Sequence, residues 1–194
     1  MRNSSVSIKR DKEYHDAFRC RMFTKPIIGA LWAAALLWPA QTTALKTPEF
    51  KLSDLNGKLF KSSKLKGSVV LLDLWATWCE PCIADIPMLN RLHEKFADRG
   101  LKVIGIAVQS GRTNDIKPHV AKLGIKYRVL VGTDRTVEQY VPVGFPVRYL
   151  IGKDARIAKK YLGSLPDREK EQQTEMERDI ESLLQHERLR MQAR

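Results

Sequence analysis

Cys79 and Cys82 stand three positions apart, with Glu80 and Pro81 between them. Two thiols at this spacing lie about one turn apart on a helix, close enough to bond to each other, so the pair can cycle between dithiol and disulfide. The same spacing supplies half of a zinc site. Zinc takes four donors, however, and the chain has no second Cys-x-x-Cys and no His-x-His cluster. Ligand count therefore selects redox chemistry, with no metal and no other cofactor expected. The third cysteine, Cys20, lies upstream of an apolar segment, so the pair is not part of a disulfide framework.

A helix that starts at the pair places the first thiol at its N-terminus, where unsatisfied N–H groups and the macrodipole favour the thiolate. Cys79 is then the attacking sulfur. Cys82, one turn in and less exposed, resolves the mixed disulfide. Asp73, six residues upstream, is the one charge in the apolar run Val69–Trp75. Two roles fit it: a buried acid of raised pKa that exchanges protons with Cys82, or an acid at a strand end that accepts backbone hydrogen bonds. Trp75 and Trp78 are expected to wall and pack the site. His93, at helical spacing between Leu89 and Phe96, reads as a boundary residue and not a ligand.

The elements that must position these groups follow from periodicity. Phe50 to Lys61 reads as a hairpin with Asn56-Gly57 as a type I′ turn, and Val69–Trp75 as a strand covered on both faces. Ile83, Ile86, Leu89 and Phe96 mark an amphipathic helix that ends at Gly100. Val103–Val108 is a second buried strand, 115–123 a helix, Tyr127–Val131 a short strand and 137–140 a helical turn. Val147–Ile151 and 156–161 form a second hairpin, and a helix follows from Pro166 with Ile180, Leu183 and Leu184 as its apolar line. From Glu187 the charge density suggests fraying. The order is β-α-β-α-β and then a hairpin, an α/β class.

The run Leu72-Asp73-Leu74-Trp75-Ala76-Thr77-Trp78-Cys79-Glu80-Pro81-Cys82, with Pro87 five positions on, resembles the thioredoxin superfamily. The resemblance covers roughly Pro48 to Gly163 and implies a thioredoxin fold: a central mixed β-sheet flanked by helices, here with an N-terminal β-hairpin extension and a C-terminal helix. It implies that Phe145-Pro146 is the cis-proline segment facing the cysteines. Pro146 and Phe145 are then expected to dock substrate, together with Trp78, Glu80 and Pro81. The entry hairpin and the motif wording look most like the TlpA/ResA-like branch of extracytoplasmic thiol reductases, which includes cytochrome c maturation proteins. That likeness implies a protein disulfide as substrate and a membrane thiol electron donor. Asp73 matches the buried acid of thioredoxins. Asp85, where the branch often has glutamate, is expected to be solvated, its shorter arm falling short of the thiol.

From Pro26 to Ala40 runs an apolar segment of about 15 residues, preceded by Arg19, Arg21 and Lys25 and followed by small residues to Ala44. This is the layout of an export signal, shorter than the ~20 residues a spanning helix prefers. Met22 would give a compact signal as a start. The expected organisation is therefore an N-terminal extension with signal peptide or membrane anchor over 1–44, a thioredoxin-like domain over 45–165 and a charged helix over 166–194. The protein is placed outside the cytoplasm, with membrane association through residues 26–44. Net charge is +12, but it is spread along the chain without a reader motif, so no nucleic acid is expected as a partner. Competing functions are a thiol peroxidase, a copper-binding module and a non-catalytic module of the same fold. The first lacks a Pro-x-x-x-Thr-x-x-Cys context. The second wants a wider cysteine gap and a supported histidine, and only His119 and His186 follow the helix.

Overall fold

The computed structural model describes residues 45–141, 143–163 and 169–192. The apolar segment and the rest of 1–44 lie outside the described residues, as do Pro142 and Pro166. Among the described residues no helix is long and apolar enough to cross a membrane.

Seven strands form one mixed sheet: β1 (Lys51–Asp54), β2 (Leu59–Lys61), β3 (Val69–Trp75), β4 (Leu101–Ala107), β5 (Arg128–Val131), β6 (Val147–Ile151) and β7 (Ile157–Leu162), in the spatial order β2-β1-β5-β4-β3-β6-β7. At the centre, β3 pairs parallel with β4 and antiparallel with β6. Every residue of β3 is buried, as a strand covered on both faces requires. Among the described residues the α-helices are α1 (Glu80–Phe96), α2 (Thr113–Lys122), α3 (Asp134–Tyr140) and α4 (Glu169–Gln192). The expected elements are all present, with some ends displaced by a few residues.

The alternation along β3 sorts the core into two layers. Val69, Leu71 and Trp75 pack under Met88, Leu89, Leu92 and Phe96 of α1 and under Met176, Ile180 and Leu184 of α4. Val70, Leu72 and Leu74 point the other way, toward Phe50, Tyr140 and Tyr149. Asp73 belongs by its parity to the α1 side.

The turn after β1 differs from the expected type I′, which needs a positive φ at both central residues. Gly57 has φ 76° and Asn56 does not have a positive φ. Instead Asp54 organises the loop: its Oδ1 accepts from the N–H groups of Asn56 and Lys58, while its carbonyl accepts from Gly57. A side-chain cap of this kind competes with the two-residue turn and wins.

α4 lies against α1 through a regular ladder. Arg91 donates to Gln173 at 2.8 Å, Lys95 to Glu177 at 2.8 Å and Arg99 to Glu181 at 3.2 Å. Both partners advance by four residues at each rung, with Arg91 and Lys95 on α1 and Arg99 in the turn just after it, so the two helices run in the same direction. On its other flank Lys159 and Tyr161 of β7 reach Asp179 at 2.6 and 2.8 Å. The buried line is Met176, Ile180 and Leu184, with Leu183 only half-buried, and the backbone stays helical to Gln192, past the point where the charge density suggests fraying.

Asn90 on α1 bridges the connection after α2, donating to the Gly124 carbonyl at 2.8 Å and accepting from the Lys126 N–H at 2.9 Å. Asn90→Ala removes both bonds from a partly exposed site. It should cost about 1 kcal/mol, read as a lower denaturant midpoint with an unchanged slope.

Candidate active site

α1 starts at the cysteine pair. Cys79 is the N-cap, with φ −88° and ψ 94°, and its Sγ accepts the backbone N–H of Cys82 at 3.2 Å. Glu80 and Pro81 occupy the first turn and are exposed. Pro is tolerated there because the first N–H groups of a helix lack intrahelical partners anyway. Pro87 sits within the same helix, where it leaves the Ile83 carbonyl without its usual N–H partner. The two sulfurs form a disulfide, with the Cα atoms 5.3 Å apart, so the structure is the oxidised form.

In this form Cys79 is 5% exposed and Cys82 2%. The difference in accessibility expected between them is small here. What separates them is position: Cys79 is the N-cap and its Sγ accepts a helix N–H, whereas Cys82 is the third helical residue and donates that N–H.

The loop before α1 is held from the segment after β4. Thr77 N–H donates to Ser110 Oγ at 2.9 Å, Ser110 Oγ donates to the Val108 carbonyl at 2.8 Å, and Trp78 Nε1 donates to the Gln109 carbonyl at 2.9 Å. Gln109 has φ 48°, a left-handed conformation uncommon for a residue with a Cβ. Trp78 is 59% exposed, and its ring meets Phe145 edge-on at a centroid distance of 5.7 Å. The Phe145-Pro146 peptide bond is cis. Val147 pairs with Leu74, so Pro146 lies one residue beyond that pair, level with the end of β3 from which the cysteine loop departs. Trp78, Phe145 and Pro146 thus come together at the disulfide end of the sheet, with Glu80 and Pro81 on its solvent side. Trp75 is a buried core residue. His93 is half-buried with its ring against Tyr127, and His119 is exposed on α2.

Below the cysteines lies a buried ionic cluster. Asp73 Oδ1 accepts from Arg148 Nε at 3.0 Å, and Asp85 Oδ2 accepts from Arg148 Nη2. All three side chains are at most 2% exposed. Asp85 follows Cys82 by three positions and so shares its helix face. It is buried, contrary to the expected solvated position, because Arg148 reaches up from β6 to meet it. Asp73 is not a strand-end acid bound to backbone either: it is held by the guanidinium. Burial pushes its pKa up from 3.8 to about 6, with Asp85 adding to the rise and Arg148 opposing it. Burial alone would lower the Arg148 pKa, but the two carboxylates more than offset that and raise it.

Arg148 is the residue that the sequence reading misses. A signal for it exists: it is a lone cation in the apolar strand Val147–Ile151, opposite in sign to the lone Asp73 of Val69–Trp75. Two uncompensated charges in two covered strands imply a pair, since neither is stable alone in the core.

Residues 44–163 match the AhpC/TSA family. The chain belongs to the AhpC/TSA family. Over 120 residues it is 32% identical to the thiol-disulfide oxidoreductase ResA of Bacillus thuringiensis (strain Al Hakam), covering 61% of this chain and 68% of that protein. Identity to ResA of Bacillus subtilis (strain 168) is 30% over 121 residues, covering 62% and 67% of the two chains. The crystal structure of a Chlorobium tepidum protein described as a putative thiol:disulfide interchange protein DsbE superposes with a TM-score of 0.66 at 27% identity, over 73% of this chain and 96% of that one. The expected thioredoxin fold is borne out. In this member of the AhpC/TSA family the second cysteine of the pair shares its helix face with Asp85, which Arg148 of β6 joins to Asp73 of β3.

Proposed function

We propose that the protein is a thiol-disulfide oxidoreductase that reduces disulfides of exported proteins. The observation that carries this reading is the closed Cys79–Cys82 disulfide at the N-terminus of α1, and the ResA and DsbE likenesses support it. In the reduced state the Cys79 thiolate attacks one sulfur of the substrate disulfide, and the other sulfur leaves with the electron pair and takes a proton from water. Cys82 then loses its proton to the acid below it and attacks Cys79 Sγ. The bond from Cys79 to substrate breaks, and the second substrate sulfur leaves as a thiolate that is protonated in turn. Two electrons have passed from the pair to the substrate; the two protons its sulfurs gain are balanced by the one Cys79 released to water on forming the thiolate and the one Cys82 gives to the acid, which returns it to water.

Phe145, Trp78, Glu80 and Pro81 form the surface that meets the substrate, backed by Pro146, which is buried in the oxidised form, with the indole and phenyl rings as the apolar contact. Reduction of the spent pair calls for a membrane thiol donor. Location outside the cytoplasm, with cytochrome c maturation as one setting, rests on the branch resemblance and on the segment from Arg19 to Ala44. A reporter active only after export, fused behind this chain, should light up. Silence, with the intact protein in the cytoplasm, would remove the location.

The enzymatic claim has its own test. The purified protein, reduced and then mixed with a disulfide-bonded protein such as insulin, should cleave it stoichiometrically and re-form the Cys79–Cys82 bond. Consumption of hydrogen peroxide without disulfide cleavage would favour the thiol peroxidase. Asp73→Asn should slow the resolving step near neutral pH with the fold retained, because an amide cannot take the Cys82 proton. A rate unchanged from about pH 6 to 8, where coupled acids of this kind titrate, would reduce Asp73 to a structural role.

A further inference from the structure

One row crosses the α1 side of the sheet. Arg148 of β6 pairs in register with Asp73 of β3, and Asp73 with Gly105 of β4. Gly105 contributes no side chain, and a Cβ there would come within 3.0 Å of Tyr127 Cε2 and 3.2 Å of Trp75 Nε1. The row is therefore closed by Tyr127, whose hydroxyl is buried without a partner, as are Trp75 Nε1 and Arg148 Nη1. The titratable groups around Asp73 are Arg148 from β6, Asp85 from α1 and Tyr127 from the segment before β5, with Cys82 one turn before Asp85 on α1 and His93 of α1 behind the Tyr127 ring. Burial, followed by the nearby Asp73 charge, holds the Tyr127 pKa well above its usual value, so it stays neutral.

Charge counting then constrains the cluster. With both acids ionised and Arg148 protonated, the buried net charge is −1, and an uncompensated buried charge is strongly unfavourable. One proton neutralises the cluster while the guanidinium keeps both contacts. Both carboxylates bind the same planar guanidinium, and one of them, Asp85, lies one turn from Cys82.

We propose that Arg148 is a positioning residue that ties Asp73 and Asp85 into one titrating unit, so that the proton leaving Cys82 is held between both carboxylates and not on Asp73 alone. In the step concerned the Cys82 S–H bond breaks, the proton enters the unit, and the Cys82 electron pair forms the bond to Cys79 Sγ as the substrate sulfur departs. The proposal rests on the oxidoreductase reading and deepens it.

The test uses the full chain with carboxyl-labelled aspartate, following Asp73 by NMR through a pH titration alongside the pH profile of single-turnover exchange with oxidised glutathione. Asp85→Asn removes a like charge and should move the Asp73 midpoint down by about one on the pH scale, with the exchange profile moving by the same amount. Arg148→Met should raise the midpoint by more than that. Arg148→Lys keeps the charge but not the fork, and should leave the two acids titrating apart. If Arg148→Met does not fold, Asp85→Asn and Arg148→Lys carry the test. An Asp73 midpoint unmoved by Asp85→Asn overturns the proposal and leaves the oxidoreductase standing. Absence of protein disulfide cleavage by the unaltered chain overturns the reading beneath it.

Discussion

Cys79→Ser should lower disulfide exchange by at least about 10³-fold, the scale on which loss of a nucleophile reduces a catalysed reaction, and should capture no substrate. Cys82→Ser should behave differently, accumulating a covalent mixed disulfide through Cys79 that survives denaturing, non-reducing electrophoresis. The asymmetry does not come from exposure, since both sulfurs are covered in the oxidised form. It comes from the N-cap: Cys79 Sγ accepts a helix N–H, and the N-terminal N–H groups stabilise the thiolate once the disulfide opens. Cys82 stands at the third helical position and supplies the N–H that Cys79 Sγ accepts. Capture by Cys79→Ser and none by Cys82→Ser would reverse the assignment.

Asp73→Asn should make the protein more stable at pH 7 to 8, by up to about 3 kcal/mol, while making it a poorer enzyme. The folded-state pKa of Asp73 is about 6 against 3.8 in the unfolded chain, so the folded state binds the proton more tightly. Stability contributed by the protonated acid is fully present below pH 3.8 and is lost as pH rises through about 6. Between those two values the loss runs at about 1.4 kcal/mol per pH unit. Asparagine has no charge to form, so the variant should lose that slope. The measurement is urea unfolding of the oxidised protein at several pH values. Equal stability of parent and variant at pH 7.5 would mean that Arg148 fully compensates the carboxylate.

Much of the fold was legible because its central strands are covered on both faces. Val69–Trp75 and Val147–Ile151 are largely apolar runs, and runs of that length have few other destinations in a chain of this size. The cysteine pair, the helix it caps and the Phe145-Pro146 segment were likewise readable from local spacing and motif. What the sequence concealed depends on two strands at once. Asp73 and Arg148 lie 75 positions apart, and only the β3–β6 register makes them neighbours. Once they pair, Asp85 has a reason to turn inward that its own helix does not reveal. The same holds for α4: Leu183 and Met176 are both apolar, and only the direction of the layer beneath decides which is covered.

The contacts of α4 repeat every four residues, both along its polar flank, at 173, 177 and 181, and along its buried line, at 176, 180 and 184. Such a pattern is nearly invariant under a slide of four residues, about 6 Å, because most rungs and most apolar positions find an equivalent partner. The phase of the helix is therefore fixed where the repeat runs out. Four residues before the buried line stands Gln172, and a slide that carried it into the place of Met176 would bury an amide among apolar side chains, which is costly. Gln172 is also tied to the Gly163 carbonyl at 3.1 Å, and Asp179 to β7. Gln172→Leu would remove this stop and make a second docking phase of α4 accessible, so that a conservative gain in hydrophobicity becomes a loss of conformational uniqueness.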